Sequence, residues 1–410
     1  MDIGALGVYA CLFMGLYFEV FLLISFFEKR PSKKTAHGPR HFPTVSVIVP
    51  CYNEERTIAA TVLSLLALEY PKKKLDIVVV DDGSRDGTRT IAERFAKTHS
   101  QVRYFYKENG GKYTALNFGI EVSRGDIVGC LDADSFVAKD ALMESIKYLE
   151  RDPSIMALTP VMKVYRPRSV LEHMQAVEYT FGVFFKKMFD NLASISVLPG
   201  PFSLYRREVF AHVGIFRHAH NTEDMEIAFR MHSYGLKIAN AHTAYVHTTV
   251  PKTLRSLLTQ RVRWSQGYLQ NSLDYRYMYG NPRFGHFGMF TLPFGLAAFA
   301  AGLYIAGYML YHVVATLGGR ALALWATGIP PQFPSLHFEW FFLNTSMMLF
   351  LTVAIFVMTI TAIVLGARIA ETRLSAKSLA IYFVLFGFVA PLWLARAAWN
   401  TVRARESVWR

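Results

Sequence analysis

The apolar residues of this chain are concentrated in long runs at its two ends, and this uneven distribution limits the possible folds most strongly. The first run, Ile3–Phe27, is long enough to span a bilayer core. Three further runs lie near the C-terminus, at about Phe287–Thr316, Phe338–Ala367 and Leu379–Ala395. Residues 28–285 contain no spanning run and are enough to build a large core. The sequence therefore predicts one span, a polar body, and a C-terminal bundle of about three spans.

The overall composition excludes several classes of protein. Hydrophobic residues make up 52% of the 410 residues and charged residues only 18%, which excludes a disordered chain, a collagen-like fibre and a coiled coil. Three scattered cysteines form no CxxC pair and predict neither a disulfide framework nor a zinc cluster. The net charge of +13 is compatible with nucleic-acid binding, but Lys and Arg also collect on the cytoplasmic flanks of membrane spans. We expect membrane lipids, and no nucleic acid, as partners.

The charged flanks of the apolar runs predict the orientation of the chain. A basic stretch from Lys29 to Arg40 follows the first span, so the positive-inside rule places the body in the cytosol and the N-terminus outside. The loop at 317–337 is then external and the basic loop at 368–377 internal. Four spans would put the arginine-containing C-terminus outside, so either the last run is re-entrant or the tail tolerates that side.

Short β-branched runs alternate with helical patterns in the first part of the body. This alternation predicts a Rossmann-like parallel sheet, in which ligands bind beyond the carboxyl ends of the strands. The sequence contains neither GxGxxG nor a Walker loop, so we expect carboxylates and a metal ion to hold any nucleotide. The predicted strands are 45–49, 77–80, 102–106 and 127–131, and the predicted helices are about 53–68, 87–97, 112–122 and 139–150.

Two acidic motifs follow predicted strands. Asp132-Ala133-Asp134 comes after the fourth strand, where two carboxylates can share a hard divalent cation that neutralises a diphosphate leaving group. A solvated turn is the alternative, and the position at a strand end favours function. Asp81-Asp82-Gly83-Ser84 follows the second strand. This motif either forms a simple turn or provides a carboxylate that accepts hydrogen bonds from a base or ribose.

Two further charged features lie at predicted helix starts. Thr222-Glu223-Asp224 begins a helical run, where acids are stabilised by the helix dipole, but a carboxylate there could also be the general base for an attacking hydroxyl. Lys112 also begins a helix. A cation at that end opposes the dipole unless an anion binds beside it.

The segment Gln260-Arg261-Val262-Arg263-Trp264 is the most informative motif. On a helix, Gln260, Arg263 and Trp264 share one face, and an amide, a guanidinium and an indole together suit a sugar diphosphate. The alternative is an amphipathic helix on the membrane surface with a snorkelling arginine. The two interpretations are compatible.

Taken together and in this order, these motifs resemble those of the membrane-embedded family 2 glycosyltransferases, which include the processive synthases of hyaluronan, chitin, cellulose and poly-N-acetylglucosamine. The resemblance covers about residues 45–270. It implies a GT-A fold in the α/β cytosolic domain beside an α-helical transmembrane region, a nucleotide-sugar donor, Mg²⁺ or Mn²⁺, and inversion to a β-linkage. The matching segments are Pro50-Cys51-Tyr52-Asn53-Glu54, Asp81-Asp82-Gly83-Ser84, Lys112 with Ala115-Leu116-Asn117, Asp132-Ala133-Asp134, Thr222-Glu223-Asp224 and Gln260-Arg261-Val262-Arg263-Trp264.

The same resemblance implies roles for individual residues. Asp224 is the catalytic base, with Glu223 beside it. Trp264 and Thr222 bind the acceptor, and Asp134 with Asp132 binds the metal. Pro199-Gly200-Pro201-Phe202 matches an acceptor-site loop more loosely. The donor-binding residues are Pro50, Tyr52, Glu54, Asp81 or Asp82, Lys112, Asp132, Gln260 and Arg263.

The chain is thus expected to contain six segments. They are a transmembrane helix (1–27), a basic linker (28–41), the GT-A domain (42–250), interfacial helices with the QxxRW motif (251–285), a transmembrane bundle (286–400) and a basic tail (401–410).

We expect the protein to transfer a sugar from a nucleotide sugar, such as UDP-N-acetylglucosamine or UDP-glucose, to the end of a growing β-linked polysaccharide. Transfer would be coupled to translocation across the cell membrane. The alternatives are transfer of one sugar to a membrane lipid and a non-enzymatic scaffold, which the many motif residues disfavour. The small number of spans adds the expectation of a partner subunit or a homo-oligomer.

Overall fold

The computed structural model describes residues 3–29, 38–328 and 347–403, and an eight-stranded sheet lies at the centre of its body. The order across the sheet is β3-β2-β1-β4-β7-β6-β8-β5. In chain order the strands are β1 (Val45–Cys51), β2 (Leu75–Asp81), β3 (Val102–Tyr106), β4 (Ile127–Cys130), β5 (Ser135–Val137), β6 (Ile155–Val164), β7 (Ser203–Arg206) and β8 (Lys237–Thr248).

Twelve α-helices surround this sheet or extend away from it in the described part of the chain. They are α1 (Ile3–Glu28), α2 (Ile58–Leu66), α3 (Thr88–Thr98), α4 (Lys112–Val122), α5 (Ala141–Arg151), α6 (Val170–Asn191), α7 (Glu208–Val213), α8 (Glu223–Ser233), α9 (Leu254–Asp274), α10 (Leu292–Thr327), α11 (Met347–Ile369) and α12 (Ala376–Val402).

The predicted parallel sheet is confirmed for the four strands that the sequence indicated, and the complete sheet is mixed. Strands β3, β2, β1 and β4 are parallel, whereas β7 is antiparallel to both β4 and β6. The reason lies in the connection from β6 to β7, which contains α6. This helix packs against α11 and α12 at the carboxyl end of β6, so the chain enters β7 from that same end.

The two faces of the sheet are buried under different helices, as the alternation of side chains along a strand requires. Val47 and Val49 of β1 pack with residues of α2 and α5, such as Leu65 and Leu142. Ile48 points to the opposite face and packs with residues of α4 and α8. Both faces of β1 are therefore core, which explains its continuous β-branched sequence.

One predicted helix boundary is wrong in a way that matters for the site. The helix expected from residue 53 begins only at Ile58. Asn53 has a left-handed φ of 56°, and its side-chain oxygen accepts a hydrogen bond from the amide of Arg85 at 2.9 Å. Asn and Asp tolerate this conformation and bind nearby backbone groups. Tyr52, Asn53 and Glu54 are consequently a loop at the end of β1.

Among the described residues, four helices are long and apolar enough to cross a membrane, and the chain is an integral membrane protein. They cover Gly4–Glu28, Phe287–Thr327, Met347–Ile369 and Ala376–Val402. The second helix continues past the predicted end at Thr316, so residues 317–327 are helical and not part of a loop. Residues 30–37 of the predicted linker, the predicted start of the third span at 338–346 and residues 404–410 of the tail lie outside the described residues.

Helices α6 and α9 connect the sheet to the spanning helices. A capping box of Ser169 and Glu172 begins α6, and the Thr253 side chain caps α9. Helix α6 packs against α1, α11 and α12, and α9 packs against α12. The carboxyl edge of the sheet therefore faces the membrane helices.

Candidate functional site

The predicted carboxylates do lie together at the carboxyl ends of the parallel strands. Asp81 ends β2 and is fully buried. Its two oxygens accept hydrogen bonds from the Ser84 amide at 2.8 Å and from the Tyr104 hydroxyl at 2.9 Å. Burial and this hydrogen bond raise the pKa of Tyr104, so the phenol stays a donor. Asp81 thus links β2 to β3 at the edge where a nucleoside would bind.

Asp82 organises the neighbouring loop. Its carboxylate is paired with Lys107 at 2.6 Å and accepts the amides of Gly110 and Gly111 at 3.1 and 2.9 Å. Gly111 has a φ of 91°, which favours glycine at this turn into α4. Each carboxylate oxygen has two lone pairs, so these contacts leave room for a ligand.

The loop after β1 contains the remaining predicted donor residues of the N-terminal motif. Tyr52 is exposed, whereas Pro50 is buried inside β1 next to Val80. Glu54 is fixed from both ends: its amide donates to the Thr88 hydroxyl and its carboxylate accepts from Thr57, each at 2.8 Å. Tyr52 is therefore available to a ligand from solvent, and Asn53 beside it is also exposed.

Lys112, at the start of α4, joins two motifs that are far apart in the sequence. Its ammonium group lies 2.7 Å from a carboxylate oxygen of Asp132 and 3.2 Å from one of Glu223. Burial alone would lower the pKa of Lys112, but the carboxylates of Asp132, Glu223 and Asp224 outweigh it and raise the pKa. The lysine therefore remains charged at the junction of the Asp132-Ala133-Asp134 and Thr222-Glu223-Asp224 motifs.

Asp224 has the properties of a general base. Burial, followed by repulsion from Glu223, raises the pKa of Asp224 to about 6, although Lys112 and Arg263 act in the opposite direction. Within the described part of the chain its carboxylate accepts no hydrogen bond, while its backbone carbonyl accepts one from the Leu198 amide at 3.0 Å. A carboxyl group with such a pKa is largely ionised at neutral pH and basic enough to take a proton from a hydroxyl.

Thr222 has surroundings that differ from those expected of an acceptor contact. Its side chain is only 2% exposed and accepts a hydrogen bond from the Asn271 amide at 2.9 Å. A Cβ on Gly267 would lie 2.3 Å from the Thr222 side chain, so glycine permits the close approach of α9. Thr222 here anchors the loop before α8 to α9, because its buried hydroxyl accepts from a residue of α9.

The three motif residues all lie on α9, and Arg263 is the one with a contact to the loop beside Asp224. It donates to the Asn221 carbonyl at 2.8 Å, and its charge lowers the pKa of Asp224. Gln260 accepts from Arg261 at 3.3 Å, and the Arg261 guanidinium lies 4.3 Å from the centroid of the Trp264 ring. The sugar-diphosphate role expected of Gln260, Arg263 and Trp264 stays a prediction.

The loop from Pro199 to Phe202 also reaches this site. A Cβ on Gly200 would lie 2.3 Å from a carboxylate oxygen of Asp132, so this backbone passes directly over the Asp132 side chain. The Ser203 hydroxyl donates to the Pro199 carbonyl at 2.6 Å and holds the loop. The acceptor role expected of this loop stays a prediction, and its position beside Asp132 is compatible with it.

The donor set at Asp132 and Asp134 suits a metal ion that is shared with a substrate. Asp134 accepts from the hydroxyls of Thr249 at 3.1 Å and Ser135 at 3.3 Å, which orient its carboxylate. No group of three or more His, Cys, Asp or Glu side chains able to hold a metal occurs among the described residues. Mg²⁺ is commonly bound by one or two carboxylates together with phosphate oxygens. The residues therefore fit an ion that binds with a diphosphate.

Sequence analysis missed several residues that position these groups. Lys107 directly follows β3, so the strand-end rule that found Asp81 could have indicated it, whereas Tyr104 lies in the middle of β3 and had no such signal. Gly267 and Asn271 recur at helical spacing after Trp264, which is the signal that this face of α9 continues along the site.

Comparison with known proteins agrees with this arrangement. Residues 46–214 match the family model described as Glycosyl transferase family 2. The chain is 32% identical to two poly-beta-1,6-N-acetyl-D-glucosamine synthases, one from Staphylococcus epidermidis and one from Staphylococcus aureus (strain COL). Each match covers 62% of this chain and 63% of the relative, so the chain spans slightly less than two thirds of their length.

A solved structure extends the similarity to almost the whole chain. The mannosyltransferase PcManGT from Pyrobaculum calidifontis, in complex with GDP-Man and Mn²⁺, superposes with a TM-score of 0.65 at 22% identity. The superposition covers 98% of this chain and 99% of that one. The predicted GT-A fold with its transmembrane helices is thereby confirmed.

Proposed function

We propose, on the premise that residues 46–214 belong to glycosyl transferase family 2, that this membrane protein is a processive, inverting glycosyltransferase. Its donor is a nucleotide sugar such as UDP-N-acetylglucosamine or UDP-glucose. Its product is a β-linked polysaccharide, extended at one end and passed across the membrane. The observation that carries this proposal is the Lys112 junction. It joins Asp132, at the end of a strand, to Glu223, the neighbour of Asp224 in the chain, and α9, which carries Trp264, packs on a spanning helix.

The reaction is a single displacement. The Asp224 carboxylate takes the proton of the acceptor hydroxyl, and the hydroxyl oxygen forms a bond to the anomeric carbon. The bond from that carbon to the diphosphate breaks on the opposite face, and the electron pair leaves with the diphosphate. One base suffices for this inversion. Lys112 and Arg263 are the cations placed to stabilise the charge that develops on the leaving group.

Asp134 and Asp132 are the residues that would hold Mg²⁺ or Mn²⁺ in this proposal. A bound divalent ion would bridge the diphosphate and neutralise its charge. In this proposal Tyr52, Glu54, Asp81 and Asp82 are the residues that bind the nucleoside.

The acceptor side of the proposal rests on Trp264. Its indole offers an apolar face on which a sugar ring can stack. The body would face the cytosol and the N-terminus the outside. A partner subunit or a second copy could complete the path of the polymer, because four spans enclose little space.

A donor screen tests the proposed function. The purified protein, in detergent with Mn²⁺ or Mg²⁺, is offered UDP-N-acetylglucosamine, UDP-glucose, UDP-glucuronate and UDP-galactose, with released UDP and product length measured together. Asp224→Asn is the blank. Long products support the proposal, products longer by one sugar would indicate the lipid-acceptor alternative, and no release above the blank would contradict the donor class.

Two tryptophan variants test whether Trp264 is needed for long products. Trp264→Ala is expected to abolish long products, whereas Trp399→Ala, at an exposed position on α12, is the matched control. Unchanged product length in Trp264→Ala would contradict the role of the indole.

A further inference from the structure

Arg261 is a buried arginine whose charge is matched by a residue of another helix. It lies in α9 and is only 3% exposed. Its guanidinium donates to the Glu178 carboxylate on α6 at 2.7 Å and to the Gln260 amide oxygen at 3.3 Å. A buried charge is costly unless it is paired and hydrogen-bonded, so this contact defines how α9 sits on α6.

The same guanidinium lies between two aromatic rings. Its central carbon is 4.3 Å from the centroid of the Trp264 ring and 6.0 Å from that of Tyr179, which follows Glu178 in α6. A planar guanidinium can stack on aromatic faces while its nitrogens donate to a carboxylate, which the ammonium group of a lysine cannot do. One face of the Trp264 indole is therefore held by a group that is fixed from α6.

The catalytic and strand-end groups have separate supports. Lys112 contacts Asp132 and Glu223, and the Asp224 carbonyl accepts from the Leu198 amide. Arg261 instead donates to Glu178 and Gln260. Loss of the Arg261 contact should consequently loosen Trp264 without disturbing the base.

We propose that Arg261, fixed by Glu178, is a positioning residue that holds the Trp264 ring as the stacking surface for the acceptor and thereby sets product length. This inference rests on the proposed function and deepens it. A loosely held indole releases the growing end more often between additions. Chains then become shorter, although each addition uses the same base and leaving group.

The test compares variants at this ion pair with variants of an exposed arginine on the same helix. Arg261→Met removes the positive charge. Arg261→Lys keeps the charge but removes the planar guanidinium, and Glu178→Gln removes the carboxylate that pairs with it. The exchange Arg261→Glu with Glu178→Arg restores opposite charges. Arg255→Met and Arg255→Lys are the matched controls, because Arg255 is exposed on α9. Gln260→Ala is added because Arg261 also contacts Gln260.

Three quantities are measured for each variant with UDP-N-acetylglucosamine as the probe. Product length is read on gels, and the donor KM comes from UDP release. The environment of Trp264 is measured by acrylamide quenching of its fluorescence. The Trp264 signal is the difference between each variant and the same variant with Trp264→Phe added. The last measurement does not require activity.

We expect Arg261→Met and Glu178→Gln to shorten the product by about fivefold, within the coupling found between contacting residues. The donor KM should change by less than about twofold. Quenching of Trp264 should increase in both variants, and the charge exchange should recover part of the length. Gln260→Ala should raise the donor KM without increasing the quenching.

Products of wild-type length from a folded Arg261 variant would overturn the inference. Unchanged acrylamide quenching of Trp264 would overturn it too, as would a donor KM that changes in proportion to product length. If Arg261→Met fails to fold, Arg261→Lys and Glu178→Gln decide by the same criteria. If the wild-type protein itself makes no polymer, the proposed function and the effect on length fail together. Quenching then still determines whether Arg261 holds Trp264.

Discussion

The proposed donor side and the proposed acceptor side of the site are built in different ways. On the donor side, Asp81 ends β2 and Asp132 follows β4, the two strands that flank β1, and nearby loop amides, hydroxyls or Lys112 contact them. On the acceptor side, the Arg261 guanidinium stacks near Trp264 and reaches from α9 to Glu178 on α6, which lies 83 positions earlier in the chain. The sheet therefore positions the donor side, whereas helices packed on the membrane spans position the acceptor side.

The largest effect is expected at the group that serves both sides. Asp224→Asn removes the base, and general-base catalysis typically contributes about 10²–10⁴-fold to the rate. UDP release in the presence of acceptor should fall by that factor, while UDP binding by calorimetry stays close to wild type. Glu208→Gln, an exposed acid on α7, is the control and should keep its rate. A loss smaller than tenfold in Asp224→Asn would remove Asp224 from the base role.

Lys112→Met should lower the efficiency of donor use without shortening the products. The change removes the cation between Asp132 and Glu223, and kcat/KM for the donor should fall by about 10²-fold, as for the loss of one electrostatic stabiliser. Lys112→Arg should recover part of this, and the exposed Lys97→Met should be neutral. The products that still form should keep their length. Shortening comparable to that of Trp264→Ala would mean that the two sides are not independent.

The pH dependence of turnover should report on Asp224. Its pKa of about 6 means that the carboxylate is protonated, and inactive as a base, at lower pH. Initial rates at constant ionic strength should fall about tenfold per pH unit below 6 and level off above 7. Because Lys112 lowers the pKa of Asp224, the inflection should move to higher pH in Lys112→Met. An unchanged inflection would contradict the coupling between the two groups.

The smallest effect is expected at Asn117, which connects α4 to the loop before Thr222. Its side chain donates to the Phe216 carbonyl and accepts from the Phe216 amide, both at 2.9 Å. Asn117→Ala should lower stability by about 1–3 kcal/mol, because buried backbone groups lose their partners. The thermal midpoint in detergent measures this. Asn117→Asp keeps the hydrogen-bond acceptor and should lose less stability than Asn117→Ala. Equal losses in the two variants would contradict a contribution from both hydrogen bonds.

Local sequence patterns predicted much of the donor side. Strand runs and the polar residues that end them are neighbours in the chain, so Asp81, Asp132 and the start of α4 at Lys112 could be located before any tertiary contact was known. The same holds for the four apolar helices, because length and hydropathy alone qualify a helix to cross a membrane. The motif order then brought Asp224 to the same site.

Long-range packing decided the rest. Helix α2 begins later than predicted because Asn53 has a left-handed φ and its hydrogen bond with Arg85 competes with helix formation. The antiparallel β7 follows from where α6 packs, and the burial of Thr222 follows from the approach of Gly267. The residues next to a strand in the sequence do not determine its direction in the sheet. Likewise, the residues next to a side chain do not determine its distant contacts. The pairing of Arg261 with Glu178 therefore became visible only in the folded chain, where α9 meets α6 and the charge of the buried Arg261 is matched by the partly buried Glu178.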